Sequence, residues 1–443
     1  MTSAILFQES DKNIIFKSVW EDLIFPSCNY GVPEKEIKAR AEEILDDFEI
    51  RHLLGRDTGT LSGGEKQLLS LASLMMLKPE LLILDEPLSQ LDEDAKDIFT
   101  DRLLSLKENG TAIIIAEHNT DRLFEKSDRL MLFTQKGIEV FEKKDIKNAS
   151  FIPNEPEYIK LQRKLNLDID DFTTSEACQN LKSNAQKLKI TPISQRELPG
   201  ETLLSVSNLC FYYERTASLI NALDFKLTQG EISFITGKNG VGKSTFLSII
   251  CSFLKPKEGT IEFSGSHKLG FLAQNPIFSF LKDTLKGDLE FALLKNKLPL
   301  SLTEEGFKKY PMFEGLRELL DMNPLDLSGG ERAKAAVFKL LILGRDILIL
   351  DEPEKHLDKK SIKELSGIIK ELSAQGVCFI IVSHSPDFIY NTADSINELK
   401  DGAFKKYTVR EYFPERSKTS LFKAIKGAEI SLFDCSEAEV DNG

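Results

Sequence analysis

Gly237-Lys-Asn-Gly-Val-Gly-Lys-Ser244 is the stretch on which the reading of this chain turns. It has the G-x-x-x-x-G-K-S spacing of a phosphate-binding loop. The apolar run Ile232-Ser-Phe-Ile235 before it reads as a buried strand, and Thr245-Phe-Leu-Ser-Ile-Ile250 after it as the start of a helix. Strand, loop and helix in that order are what the motif requires. Gly237, Gly240 and Gly242 let backbone N–H groups approach phosphate oxygens, and a helix N-terminus favours negative charge. In such a loop Lys243 reaches the β- and γ-phosphates and Ser244 ligates Mg²⁺. The plain alternative, a glycine-rich turn without a ligand, leaves the matching strand and helix unexplained.

Downstream, Asp346-Ile-Leu-Ile-Leu-Asp351-Glu352 suits a central parallel strand buried on both faces. Asp351 then emerges at the strand's C-terminal end, where open α/β sheets bind ligands, and would hold Mg²⁺ through water. Glu352 is placed to orient and activate an attacking water as general base. Leu327-Ser-Gly-Gly-Glu331 begins as a Ser-x-x-Glu capping box. Capping alone needs no glycine pair, so Gly329 and Gly330 add the expectation of an anion close to the helix N-terminus. His384 follows the β-branched run Val377-Cys-Phe-Ile-Ile-Val382 and reads as a γ-phosphate contact.

These landmarks recur. Leu61-Ser-Gly-Gly-Glu65 repeats the signature-like segment, and Leu81-Leu-Ile-Leu-Asp-Glu-Pro87 repeats the acidic strand end. Gln8 and Gln274, Ser62 and Ser328, Asp85 and Asp351, and His118 and His384 are all 266 positions apart. One register kept over more than a hundred residues marks a duplicated domain. Residues 1–144 form the first copy, 145–200 a linker with one helix, 201–410 the second copy and 411–443 a weakly structured tail. The first copy is expected to be truncated at its N-terminus, since the partner of Lys243 would fall before residue 1.

The chain of 443 residues is 41% hydrophobic and 29% charged, as expected of a globular protein with room for two cores. No apolar run approaches the roughly 20 residues of a membrane-spanning helix, and the first residues do not form a signal peptide. Six scattered cysteines, without a Cys-x-x-Cys pair, argue for a reducing cytosol and for small buried side chains. A net charge of −13 disfavours broad contact with nucleic acid, so no nucleic-acid partner is expected.

Taken together the segments resemble the nucleotide-binding domains of ATP-binding-cassette proteins over residues 1–140 and 201–410. The fold that this implies is α/β, a P-loop NTPase of the ABC type. There would be two tandem cassettes, each with a parallel-sheet core and a helical subdomain. The resemblance further implies that Tyr213 stacks on adenine and that Gln274 links Mg²⁺ to a partner-contacting loop. Asn239 and Thr245 fall within the nucleotide loop it implies. Such domains pair head to tail, here within the chain or between chains, and the complete composite site would join Lys243, Ser244, Gln274, Asp351, Glu352 and His384 to Ser62, Gly63 and Gly64. Asp92 would help bridge the copies. The opposite site would offer Gln8, Asp85, Glu86 and His118 to Ser328, Gly329 and Gly330 without a phosphate loop. One competent ATP site per chain is therefore expected.

The stretch from Leu6 to Phe25, the segment Phe271-Leu-Ala-Gln-Asn-Pro276 and the phrase Ala116-Glu-His-Asn119 are similar to the duplicated ATPases of energy-coupling-factor importers. These move vitamins, vitamin precursors or transition-metal ions. The implied partners are a membrane-embedded coupling protein and a substrate-capturing membrane subunit, with the chain peripheral on the inner face of the membrane. Residues after Gln8 and Gln274 would form the receiving grooves, one of them shaped by a helix over residues 32–48. That helix's Ile37, Ala41, Ile44, Leu45 and Phe48 recur at helical spacing and read as core contacts. Two other readings stand beside the importer. A ribosome-acting tandem cassette gains from the ending His356-Leu-Asp358 and loses from the acidic balance. A regulatory module without hydrolysis gains from the truncation and loses from the intact second copy.

Overall fold

The computed structural model describes residues 2–7, 13–88, 91, 93–117, 120, 122–134, 137–142, 156–164, 167, 169, 173–184, 200–213 and 219–416. They divide into two compact units, one within residues 1–190 and one within residues 191–417.

In the first unit, β1 (Ser3–Leu6), β2 (Leu81–Asp85) and β3 (Ala112–Ala116) form a parallel sheet in that order. Helices α1 (Val19–Asn29), α2 (Glu34–Asp47), α3 (Gly63–Met75) and α4 (Glu93–Glu108) accompany it, and β4 (Arg129–Thr134) pairs with β5 (Gly137–Glu142) as an antiparallel hairpin. The helix expected over residues 32–48 is α2. Its Ile37, Ala41, Ile44 and Leu45 are buried in the core with Leu23, Leu69 and Phe99, as the helical spacing implied. Each fully buried aliphatic or Phe side chain contributes about 1.5–3 kcal/mol. Two serine hydroxyls staple α1 beside α3: Ser27 donates to the Met76 carbonyl at 3.0 Å and Ser73 to the Asp22 carbonyl at 2.9 Å.

The stretch expected as a linker with one helix holds two, α5 (Glu157–Lys164) and α6 (Thr174–Ser183). They pack as a pair, with Tyr158, Ile159, Ala177 and Leu181 fully buried and the Asn180 amide donating to Gln162 Oε1 at 2.8 Å. Glu125 Oε2 accepts from both the N–H and the hydroxyl of Thr174, which ties α6 to the first unit. Helices of eight and ten residues are marginal on their own, so their packing rather than their local sequence establishes them.

The second unit begins with β6 (Thr202–Phe211) and β7 (Ile220–Thr228), which with β9 (Glu258–Phe263) form an antiparallel sheet in the order β7-β6-β9. The main sheet comprises β8 (Ile232–Thr236), β10 (Leu269–Leu272), β11 (Ile347–Asp351), β12 (Cys378–Val382), β13 (Ser395–Lys400) and β14 (Ala403–Tyr407). Its order is β10-β11-β12-β8-β13-β14, parallel except for the last pair. Every residue of β8, β11 and β12 is buried, as strands covered on both faces require. The helices are α7 (Lys243–Ile250), α8 (Leu285–Lys295), α9 (Leu302–Lys309), α10 (Gly329–Ile342), α11 (Lys359–Ala374), α12 (Pro386–Thr392) and α13 (Val409–Arg416). Helix α13 overlaps the start of the expected tail, and the remainder of that tail lies outside the described residues.

The duplication extends to backbone detail. The residues that open β1, β2, β3, β4 and β5 stand 266 positions before those that open β10, β11, β12, β13 and β14. The carboxylate of Asp22 accepts from the N–H groups of Ile15 and Phe16, and Asp288 accepts likewise from Leu281, the counterpart of Ile15. Both α3 and α10 open with a complete Ser–Glu capping box. The sheets differ at one edge. In the second unit β12 is flanked by β11 and β8, whereas β3 ends its sheet among the described residues, with Ile114 40% exposed. Of the cysteines, Cys378 is buried as expected, but Cys28 is exposed.

Candidate functional site

Strand β8 delivers the chain to the C-terminal edge of the main sheet, and the loop that follows is possible only for glycines. Gly237 adopts φ 139°, and a Cβ there would lie 2.6 Å from the Leu399 carbonyl oxygen. Gly242 adopts φ 109° immediately before α7, where a Cβ would stand 3.0 Å from Leu219 Cγ. Having no side chain, Gly242 cannot cap α7, so the first-turn N–H groups are left to an external acceptor. Lys243 is buried at the foot of this loop, and its ammonium donates to the carbonyls of Gly237 and Lys238 at 2.8 and 2.9 Å. Asn239 and Gly240 form the turn of the loop.

Strand β11 brings Asp351 and Glu352 to the same edge. Asp351 is 4% exposed and accepts a hydrogen bond from the Ser244 hydroxyl. Burial pushes its carboxyl up to about 6; the neighbouring Glu352 adds to the rise, while Ser244, Lys243 and Lys355 oppose it. At the next residue the backbone turns left-handed, with Glu352 at φ 51° and its N–H held by the Val382 carbonyl at 2.9 Å. This strained turn aims the Glu352 carboxylate back across the strand ends. The Gln274 amide donates to its Oε2 at 2.8 Å, Lys355 Nζ lies 3.4 Å from Oε2, and His384 Nε2 lies 3.8 Å from Oε1. Burial alone would raise this carboxyl, but Lys355, His384, Gln274 and Lys243 outweigh it and hold the group below the usual glutamate range. Glu352 is thus kept ionised, the state a general base needs.

Lys243, Ser244, Gln274, Asp351, Glu352 and His384, separated by up to 141 positions between Lys243 and His384, therefore stand around one sheet edge. Tyr213 is 48% exposed, packs edge-on against Phe211, and places its hydroxyl 3.3 Å from that of Thr245. In the first unit Ser62, Gly63 and Gly64 start α3, where the Ser62 hydroxyl accepts from the Glu65 N–H at 3.2 Å. Glu86 repeats the left-handed turn of Glu352, with φ 42° and its N–H donating to the Ala116 carbonyl at 2.9 Å. Gln8, Asp92 and His118 lie outside the described residues.

Three participants were not singled out from the sequence. Lys355, in the segment Glu354-Lys-His-Leu-Asp358, lies 3.4 Å from Glu352 Oε2. The Ser383 hydroxyl donates a hydrogen bond to the Glu354 carboxyl beside His384. Burial pushes the Glu354 carboxyl up to about 7, against the hydrogen bond from Ser383. The signal available was a carboxylate two residues beyond Glu352, which a local pattern cannot assign without knowing what faces it. His356 and Asp358 have local tasks: the His356 ring packs near Gly329, and Asp358 caps α11 by accepting from the Ser361 N–H at 2.8 Å.

Among the described residues, no three His, Cys, Asp or Glu side chains converge as a metal cage. The oxygen donors Asp351 and Ser244 nevertheless suit Mg²⁺, which typically takes one or two carboxylates and completes its shell with water and phosphate. The raised Asp351 carboxyl fits this, being a buried acid with less positive charge around it than its ionised form demands.

A family model described as ABC transporter matches residues 2–89 and 220–355. An ABC transporter ATP-binding protein, provisionally so named, of Bacillus thuringiensis subsp. konkukian is 30% identical over 422 residues, covering 90% of this chain and 76% of that protein. A Bacillus subtilis protein provisionally named HMP/thiamine import ATP-binding protein YkoD is 28% identical over 423 residues, covering 90% and 75%. Among solved structures, a model of ribosome-bound archaeal Pelota and ABCE1 superimposes with a TM-score of 0.68 at 22% identity, covering 93% of this chain and 66% of that one. At that identity the likeness is one of fold.

Proposed function

This chain belongs to the ABC transporter family and is an ABC-type ATPase, and we propose that it is the energy-coupling subunit of an energy-coupling-factor importer. The cargo class is a vitamin, a vitamin precursor or a metal ion. The observation that carries hydrolysis is the ionised Glu352 held among Gln274, Lys355 and His384, one residue beyond the Asp351–Ser244 pair. Import is supported by the similarity along 90% of the chain to a protein provisionally named for HMP/thiamine import. Among the described residues no helix is long and apolar enough to cross a membrane. The chain's proposed partners are a membrane-embedded coupling protein and a substrate-capturing membrane subunit.

In this reading the phosphate loop and the α7 N-terminus bind the ATP phosphates, and Lys243 exchanges its loop carbonyls for phosphate oxygens. Tyr213 carries the adenine. Ser244, Asp351 and Gln274 would hold Mg²⁺, which would neutralise phosphate charge. Glu352 takes the proton of the attacking water, Gln274 and Lys355 fix the carboxylate, and His384 contacts the γ-phosphate. The signature segments at Ser62, Gly63 and Gly64 and at Ser328, Gly329 and Gly330 complete sites on paired cassettes. Closure on ATP and release after hydrolysis would pass a rigid-body motion to the membrane partner.

Two measurements test this. ATP turnover and nucleotide binding should both depend on Lys243; turnover unchanged in Lys243→Ala would refute the site. Cell fractionation should place the chain with membranes through its partners. Sedimentation with ribosomes instead would overturn the importer role while leaving the ATPase intact.

A further inference from the structure

The two copies differ systematically at one pair of positions. Glu354 in the second unit corresponds to Leu88 in the first, and Ser383 corresponds to Glu117, both at the 266 spacing. In the second unit the carboxyl comes from the segment after β11: Glu354 Oε1 accepts from the hydroxyl of Ser383, the residue after β12. In the first unit it comes from the other side: Glu117, after β3, accepts from the Leu88 N–H at 3.0 Å. The carboxylate has changed strands, yet in both copies it bridges the same two loops. In the second unit the bridge continues, because Ser383 Oγ also accepts from the Ser385 N–H at 3.0 Å. His384 is therefore framed by two hydrogen-bonded serines. The strand ends are also joined by the Glu352 N–H, which donates to the Val382 carbonyl, and by the His384 backbone N–H, which donates to the Glu354 carboxyl.

We propose that Glu354 and Ser383 are positioning residues of the hydrolytic site, a side-chain tie between the β11 and β12 loops that sets His384 against Glu352. It acts because His384 and Glu352, 3.8 Å apart, lie on the loops just beyond the last paired residues of β11 and β12, where the side-chain tie adds to the backbone bonds. This rests on the hydrolase reading of the same site, and it names which side chains hold the histidine in place.

The test uses the whole chain and the first copy as its guide. Glu354→Leu, which installs the residue found at the equivalent place, should lower kcat by between about ten- and a hundredfold with KM for ATP within about twofold. The double variant Glu354→Leu with Ser383→Glu transplants the other copy's arrangement and should recover most of the lost kcat. In nucleotide-free protein labelled with ¹³C-histidine, whose five histidines give few signals, the His384 resonance is assigned by its loss in His384→Gln. It should move in Glu354→Leu and return in the double variant. A His384 signal that Glu354→Leu does not move, or a double variant no better than the single one, overturns the tie. Absence of Lys243-dependent turnover in the unaltered protein would instead defeat the hydrolase reading, and the histidine signal would still decide the tie.

Discussion

Glu352 Oε1 and His384 Nε2 lie 3.8 Å apart at the ends of two neighbouring parallel strands, whose register pairs Asp351 with Val382. That pairing makes the acidic strand end and the histidine loop one structure, and most of the expected behaviour follows from it.

Replacing Glu352 by Gln preserves shape and removes the base. Hydrolysis should slow by about 10²–10⁴-fold while nucleotide affinity is retained, measured by turnover and equilibrium binding on the same preparation. Undiminished turnover would take the base role away from Glu352.

Lys355 is one of the cations that keep Glu352 ionised. Lys355→Ala should raise the Glu352 carboxyl, so a higher pH is needed to ionise it and the acid limb of the ATPase profile moves upward. An acid limb that stays where it was in the unaltered protein would mean that Lys355 does not control this group.

Glu354 titrates near 7 when folded against an ordinary 4.5, because it is buried. Between those values the folded state keeps a proton that the unfolded chain has lost, so this group's contribution to stability falls as pH rises and levels off above about 7. The full change is on the order of 3 kcal/mol. Glu354→Gln removes that dependence, and its thermal midpoint relative to the unaltered protein should climb between pH 5 and pH 8. The raised carboxyl of Asp351 is present in both proteins and cancels in the difference. A constant difference across the window would contradict the assignment.

Gly242→Ala forces a side chain into a left-handed conformation, with its Cβ against Leu219. A stability loss of about 1–3 kcal/mol is expected, together with loss of ATP binding as the α7 N-terminus shifts. Thermal unfolding and nucleotide titration check the two effects separately; unimpaired binding would show that the loop tolerates the turn in another form.

Some of this was plain in the chain itself. The phosphate loop needs a buried strand before it and a helix after it, and β8 and α7 stand where Ile232–Ile235 and Thr245–Ile250 indicated. The 266 spacing carried the duplication, because motifs that keep one register without insertions belong to elements of equal length. The helices α5 and α6 were harder to see. At eight and ten residues they are too short to stand out along the chain, and their mutual packing and the bond from Thr174 to Glu125 show that they belong to the first unit.

What the sequence determined alone was the order of the strands' contents and the identity of the chemical groups, since turns, caps and buried strands are read from neighbours along the chain. What only the tertiary structure decided was the surroundings of each ionisable group. Glu352 and Glu354 are two positions apart, and the local pattern that marks Glu352 as a base gives the protonation state of neither. One is held ionised by Lys355, His384 and Gln274, while the other, closed in against Ser383, is pushed up to about 7. The physical reason is that a carboxyl's charge is set by solvent access and by cations brought near through folding, which sequence distance does not measure.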